Sequence, residues 1–167
     1  MSDHFPAEIT IGGRIPRRLL DELAGMIAAE GVSLNWQYAL DTAAARAAIE
    51  TSASKGETVR FTDDEAVCGQ FDELENWLTG HGIDFDRHSD ARYEYDGENA
   101  HGRGRKRPVI RNSDQSGKDL VSAEEVRKVL ASQALPDRKL TQIAKLVAAP
   151  PALTPIVLTD RKGKNHD

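Results

Sequence analysis

Residues 101–112 read HGRGRKRPVIRN, and the fold turns on whether they are sheet or linker. They hold Arg103, Arg105, Lys106, Arg107 and Arg111 and not one acid. From residue 97 to 120 the chain is dominated by Gly, Arg, Lys, Asn, Ser and Asp, and Val109 and Ile110 are the only sizeable apolar pair in its middle. So little apolar surface cannot offset the entropy of ordering, so the composition predicts a flexible basic linker over 99–120.

The chain changes character across this stretch. Residues 1–100 carry 8 Lys+Arg against 20 Asp+Glu, a balance of −12, and residues 101–167 carry 14 against 7, a balance of +7. All nine aromatic residues, from Phe5 to Tyr95, precede it. Aromatic side chains supply much of the burial in a core, so the core is expected before the charge reversal. The predicted division is an acidic α+β core over 1–98, the linker, a helical region over 121–159 and a disordered tail over 160–167. At 167 residues this is one domain with an appendage.

Within the core, AEITIGG alternates apolar and polar residues and stops at Gly12-Gly13, as a strand does. Ile15, Leu19, Leu23 and Ile27 then repeat at helical spacing up to Gly31. VSLNWQY predicts a second strand, the alanine-rich LDTAAARAAIETSA a helix, and ETVRF a third strand. Phe71, Leu74, Trp77 and Leu78 line a helix over 69–79. Ile83 and Phe85, then Tyr93 and Tyr95, alternate with charged residues and predict a hairpin turning through HSDA. Past the linker, Ser122 with Glu125 forms a capping box ahead of Val126, Val129 and Leu130, and Pro136 opens a helix carrying Leu140, Ile143 and Val147. The fold class is therefore α+β: a small sheet of four to five strands packed by two or three helices, with a helical C-terminal extension.

The single cysteine, Cys68, rules out an internal disulfide and reads as a small buried apolar residue. No apolar run is long enough to span a bilayer and the first residues are polar, which predicts a cytoplasmic protein without membrane association. Arginine outnumbers lysine 14 to 8 and alanine is abundant, which points toward a GC-rich bacterial genome.

Three constellations carry chemistry. In the first, RGRKRP resembles the DNA-binding AT-hook through Arg103, Gly104, Arg105 and the nearby cations Lys106, Arg107 and Arg111, with Lys106 standing where a proline normally follows the second arginine. The resemblance implies an Arg-Gly-Arg core in the minor groove of A/T-rich DNA with flanking cations on phosphates. The competing reading sets these cations against the chain's own acidic half. In the second, residues 61–98 hold twelve acids against Arg87 and Arg92, among them Asp63, Asp64, Glu65, Asp84, Asp86, Glu94 and Asp96. Such a surface repels nucleic acid and suits a basic protein partner. In the third, His81, Asp84, Asp86 and His88 fall within HGIDFDRHSD, and on a strand the last three share one face, as metal ligands must.

No complete catalytic motif is present: SGKDL at 116–120 lacks the first glycine and the Ser/Thr of a phosphate loop, and there is no His-Glu-x-x-His or paired-cysteine site. The expected function is that of a non-enzymatic intracellular binding or accessory protein, without cofactor, acting through an acidic protein-interaction surface with a basic arm. The alternatives are a nucleic-acid-associated regulator using the 103–111 cations and a metal-dependent enzyme built on the 81–90 cluster. The sequence leaves the oligomeric state open.

Overall fold

The computed structural model describes residues 3–91 and 96–160. The fold is α+β, and the described residues form five α-helices, a five-stranded antiparallel sheet and a two-stranded parallel one. The large sheet runs β3-β1-β4-β5-β6, formed by β1 (His4–Gly12), β3 (Val59–Val67), β4 (Asp84–Ser89), β5 (Gly97–Gly102) and β6 (Val109–Ser113). The small sheet pairs β2 (Arg14–Pro16) with β7 (Val157–Thr159), which returns the C-terminal part of the chain to its start.

Strand register puts Ile9 beside Phe61 and Arg87, and Ile11 beside Val59 and Phe85, so one face of β3-β1-β4 is apolar. Three helices cover it: α1 (Leu20–Ala29), α2 (Thr42–Lys55) and α3 (Asp72–His81). Leu20, Leu23, Ala24 and Ile27 of α1, Ala45 and Ile49 of α2, and Leu74 and Leu78 of α3 close one core with those strand residues. Asp41 caps α2 by accepting from the Ala44 N–H at 2.7 Å, and Gly56 and Gly82 end α2 and α3 in the left-handed conformation. α3 begins where the Glu75 carboxylate reaches back to the Phe71 N–H at 3.1 Å.

Three sequence expectations change. The segment read as a linker over 99–120 contains most of β5 and all of β6, and the boundary at 98 falls inside β5. The partner of β4 is β5, with Phe85 opposite Gly102 and Ser89 opposite Glu98. The strand expected at Tyr93 and Tyr95 lies outside the described residues. VSLNWQY is not a strand: Ser33 makes one bridge to Thr62, and the chain then bends away through Trp36 in a left-handed conformation at φ 62. Beyond the sheet, α4 (Ala123–Ala131) and α5 (Pro136–Val147) form the expected helical pair, with the Ser122 hydroxyl accepting from the Glu124 N–H at 3.2 Å. Neither helix contains a buried residue.

Candidate functional site

Two polar assemblies and one exposed edge compete for the role of site. The first assembly lies on the sheet face away from the helices, where Asp86 and His88 of β4 stand beside His101 and Asn99 of β5, with Arg111 of β6 next in register. The 114–120 turn folds back over them. His101 sits between two carboxylates, Nδ1 2.8 Å from Asp86 Oδ1 and Nε2 3.2 Å from Asp119 Oδ1. Asn99 donates to Asp119 Oδ1 at 2.8 Å and to the Gly117 carbonyl at 2.9 Å, which turns its own oxygen toward His88 Nδ1 at 2.7 Å. The hydrogen bond to Asp86, then that to Asp119, holds the His101 imidazolium above the ordinary histidine range against the opposing effect of burial. Burial raises the Asp86 and Asp119 carboxyls, but hydrogen bonds from His101 and Arg103 to the first, and from Asn99 and His101 to the second, bring both below the usual range.

This assembly accounts for much of the basic stretch. Arg103 pairs with Asp86 at 2.8 Å and donates to the carbonyls of Phe85, Gly102 and Pro151. Arg111 pairs with Asp119 at 3.3 Å and donates to the Ala148 carbonyl. These two arginines therefore fasten the chain leaving α5 to the sheet. Arg105, Lys106 and Arg107 remain exposed on the β5-β6 turn, with Arg105 lying over Gly82 at the C-terminal end of α3, where a cation is favoured by the helix dipole.

The same contacts separate the proposed metal ligands. Asp84 accepts from the Gly104 N–H at 2.7 Å, Asp86 holds His101 and Arg103, and His81 stacks on Trp77 with ring centroids 4.1 Å apart. Among the described residues no group of three or more His, Cys, Asp or Glu side chains is arranged to hold a metal ion.

The second assembly lies under the opposite face. Arg87 is 2% exposed, with Nε 2.7 Å from Glu75 Oε1, Nη2 2.5 Å from Glu98 Oε1, and Nη1 donating to the Gly69 carbonyl at 3.1 Å. Burial raises the Glu75 carboxyl even with Arg87 beside it. Two carboxylates and the Gly69 carbonyl surround one guanidinium, so this assembly joins α3, β4 and β5, with Arg87 Nε ion-paired to Glu75 but without a well-aligned hydrogen bond.

The exposed edge differs from both. β3 is an outer strand, bridged at Thr62 to Ser33, and the Thr62 hydroxyl also accepts from the Trp36 N–H at 3.0 Å. The loop pinned there leaves Leu34, Trp36 and Tyr38 exposed, at 42%, 47% and 84%. Immediately along β3, a groove of about 430 Å³ between the end of α1 and the start of α3 is lined by Glu30, Asp63, Glu65, Asp72 and Glu73, and by no cation. Burial raises the Glu30 carboxyl against the pull of the Leu74 N–H, and the neighbouring Glu73, Asp72 and Glu75 raise it further.

No protein-family model, curated protein or solved structure matches this chain.

The structure thus divides the acids expected to form one interaction surface. Asp63 and Glu65 line the groove and Asp64 stands exposed beside them, whereas Asp84 and Asp86 sit on the far side of the sheet in internal contacts. Asp96 is exposed in the segment entering β5, and Glu94 lies outside the described residues. Cys68 is exposed rather than buried, held at φ 53 in the turn after β3. Sequence reading missed Glu30, which reaches the groove from the helix before it, and the Leu34-Trp36-Tyr38 loop. Its signal was slight: Val32, Leu34, Trp36 and Tyr38 alternate with polar residues without a break, and only Asn35, a residue type that tolerates turns, marks the bend.

Proposed function

We propose that this chain is a non-enzymatic protein-interaction module whose β3 edge receives a basic, partly apolar segment of another protein. The observation that carries the proposal is the pairing of an exposed aromatic loop with an uncompensated acidic groove on one outer strand. Large exposed aromatic residues dominate binding energy at protein interfaces, and a left-handed tryptophan stores about 1–3 kcal/mol of backbone strain. The groove supplies charge complementarity, and Trp36 and Tyr38 can also take a cation on their ring faces.

A fluorescein-labelled synthetic peptide alternating arginine with leucine, titrated by fluorescence anisotropy, tests this. Asp63→Asn with Glu65→Gln and Glu73→Gln, and separately Trp36→Ala, should each weaken binding by roughly tenfold or more, equivalent to about 1.4 kcal/mol. Removing the same charge at Glu57, Glu124 and Glu125 should leave the affinity nearly unchanged. Equal weakening by both charge sets would reduce the effect to net charge and overturn the proposal.

A second reading rests on the three cations left exposed on the β5-β6 turn. Arg105, Lys106 and Arg107 can meet a phosphate backbone, and three contacts give a log–log salt slope of roughly −2 to −3 on duplex DNA. Retention of that slope after replacing all three with alanine would dismiss it.

A further inference from the structure

We infer that the α4-α5 hairpin is a self-association surface, which pairs with the hairpin of a second copy of this chain, antiparallel, as a four-helix bundle. The helices have nine and twelve residues, at or below the length at which a helix holds together unaided in water. Their main packing partner is one another. Val126, Val129, Ile143 and Leu146 are half-buried in and around that contact, while Leu130, Leu140 and Val147 are exposed, Leu140 at 66%. Each apolar stripe is therefore wider than one neighbouring helix can cover, as in a bundle lacking its second pair.

Charge identifies a second copy as the cover and sets its direction. α4 opens with Glu124 and Glu125 and continues with Arg127 and Lys128. Around the turn between the helices stand Lys128, Asp137, Arg138 and Lys139; at the open end stand Glu124, Glu125 and Lys145. Antiparallel pairing of two copies brings the acidic start of each α4 against the basic part of the other and keeps the turn ends apart. Parallel pairing would set one positive turn end against another. The hairpin joins the rest of the molecule at its open end, through Arg111 on Ala148, Arg103 on Pro151 and the Leu120 N–H on Asn112. Antiparallel pairing thus places the two sheets at opposite ends, clear of each other. A two-fold axis makes the interface self-complementary and closes it at two copies.

Sedimentation of the full chain over a dilution series tests this. The expected mass rises with concentration toward twice 18.3 kDa. Leu130→Ser with Leu140→Ser and Val147→Ser should give a monomer throughout, with the thermal transition of the sheet unchanged. Glu124→Lys with Glu125→Lys should raise the dimer dissociation constant by roughly tenfold, and adding Arg127→Glu with Lys128→Glu should restore it. That reversal also preserves the Lys128–Glu124 pair within α4, so restoration reports the contact between copies. A monomer at every concentration, a dimer that survives the three serines, or a fourfold charge reversal that fails to restore association would each overturn the inference.

Discussion

Across β3, β1 and β4 the sheet is pressed onto three helices by Ile9, Ile11, Phe61 and Phe85, whereas the side-chain ties that add to the backbone ladders of β5 and β6 run through Arg87, Glu98, His101, Arg103, Arg111 and Asp119. Apolar burial is non-directional and leaves its period in the sequence; ionic and hydrogen-bonded ties depend on pairs that are distant in sequence and leave no period. The β5-β6 end is therefore sheet made without a hydrophobic pattern. The sequence's basic stretch is where the two modes of cohesion meet, with Arg103 and Arg111 facing the chain's own acids and carbonyls.

The sharpest break of this comparison is Arg87→Met. It strands Glu75 and Glu98 without their cation, one of them largely buried, and should destabilise the protein by about 3–5 kcal/mol in urea denaturation. Glu75→Gln with Glu98→Gln added to it should recover much of that loss. Were Arg87→Met alone neutral, the ionic account of the β4-β5 junction would fail.

Gly102→Ala probes a place where β5 meets the apolar half directly. A Cβ there would lie 2.3 Å from Cε1 of the Phe85 ring, so the ring must move, at a cost of about 1–3 kcal/mol read from the shift in thermal midpoint.

His101 gives the comparison a pH dependence. Asp86 of β4 and Asp119 of the 114–120 turn face it, with Arg103 and Arg111 behind those carboxylates. Because its folded pKa is raised, its contribution is complete below the unfolded value of about 6.5 and is lost as pH rises through the folded value. Asp86 and Asp119 have lowered values, so their contributions are present above about pH 4 and lost on acidification. Stability measured across pH 5–9 should fall on the alkaline side, and His101→Gln should flatten that slope while costing about 1–3 kcal/mol at pH 6. An unaltered slope would remove His101 from the account.

The smallest effect on stability should come from the loop. Trp36→Gly relieves a left-handed side chain and should leave stability unchanged or raise it by up to about 1 kcal/mol, while abolishing binding of the arginine-leucine peptide. A variant that unfolds instead would make Trp36 a structural residue and the loop no interface.

What the sequence disclosed follows the same division. β1, α1, α2, α3 and the α4-α5 pair were legible because their apolar residues recur at strand or helix spacing and their ends carry Asp41, Gly56, Gly82, Ser122 or Pro136. β5 was not, because its sequence, GENAHG, presents small and polar residues to both faces: Gly102 makes room for the Phe85 ring and Glu98 answers Arg87. β6 was hidden by the cations around it. The acidic side of the site was visible as composition, but composition could not separate Asp63 and Glu65 from Asp84 and Asp86, which strand alternation and register send to different surroundings.

Amide hydrogen exchange over residues 97–113 tests most directly whether that segment is sheet fastened by ions. The paired amides of β5 and β6 should be protected at pH 6, with protection at β6 falling in Arg111→Ala and Asp119→Asn while β1 and β3 keep theirs. Exchange throughout the segment at the rate of an unstructured peptide would contradict it and return residues 101–112 to a linker.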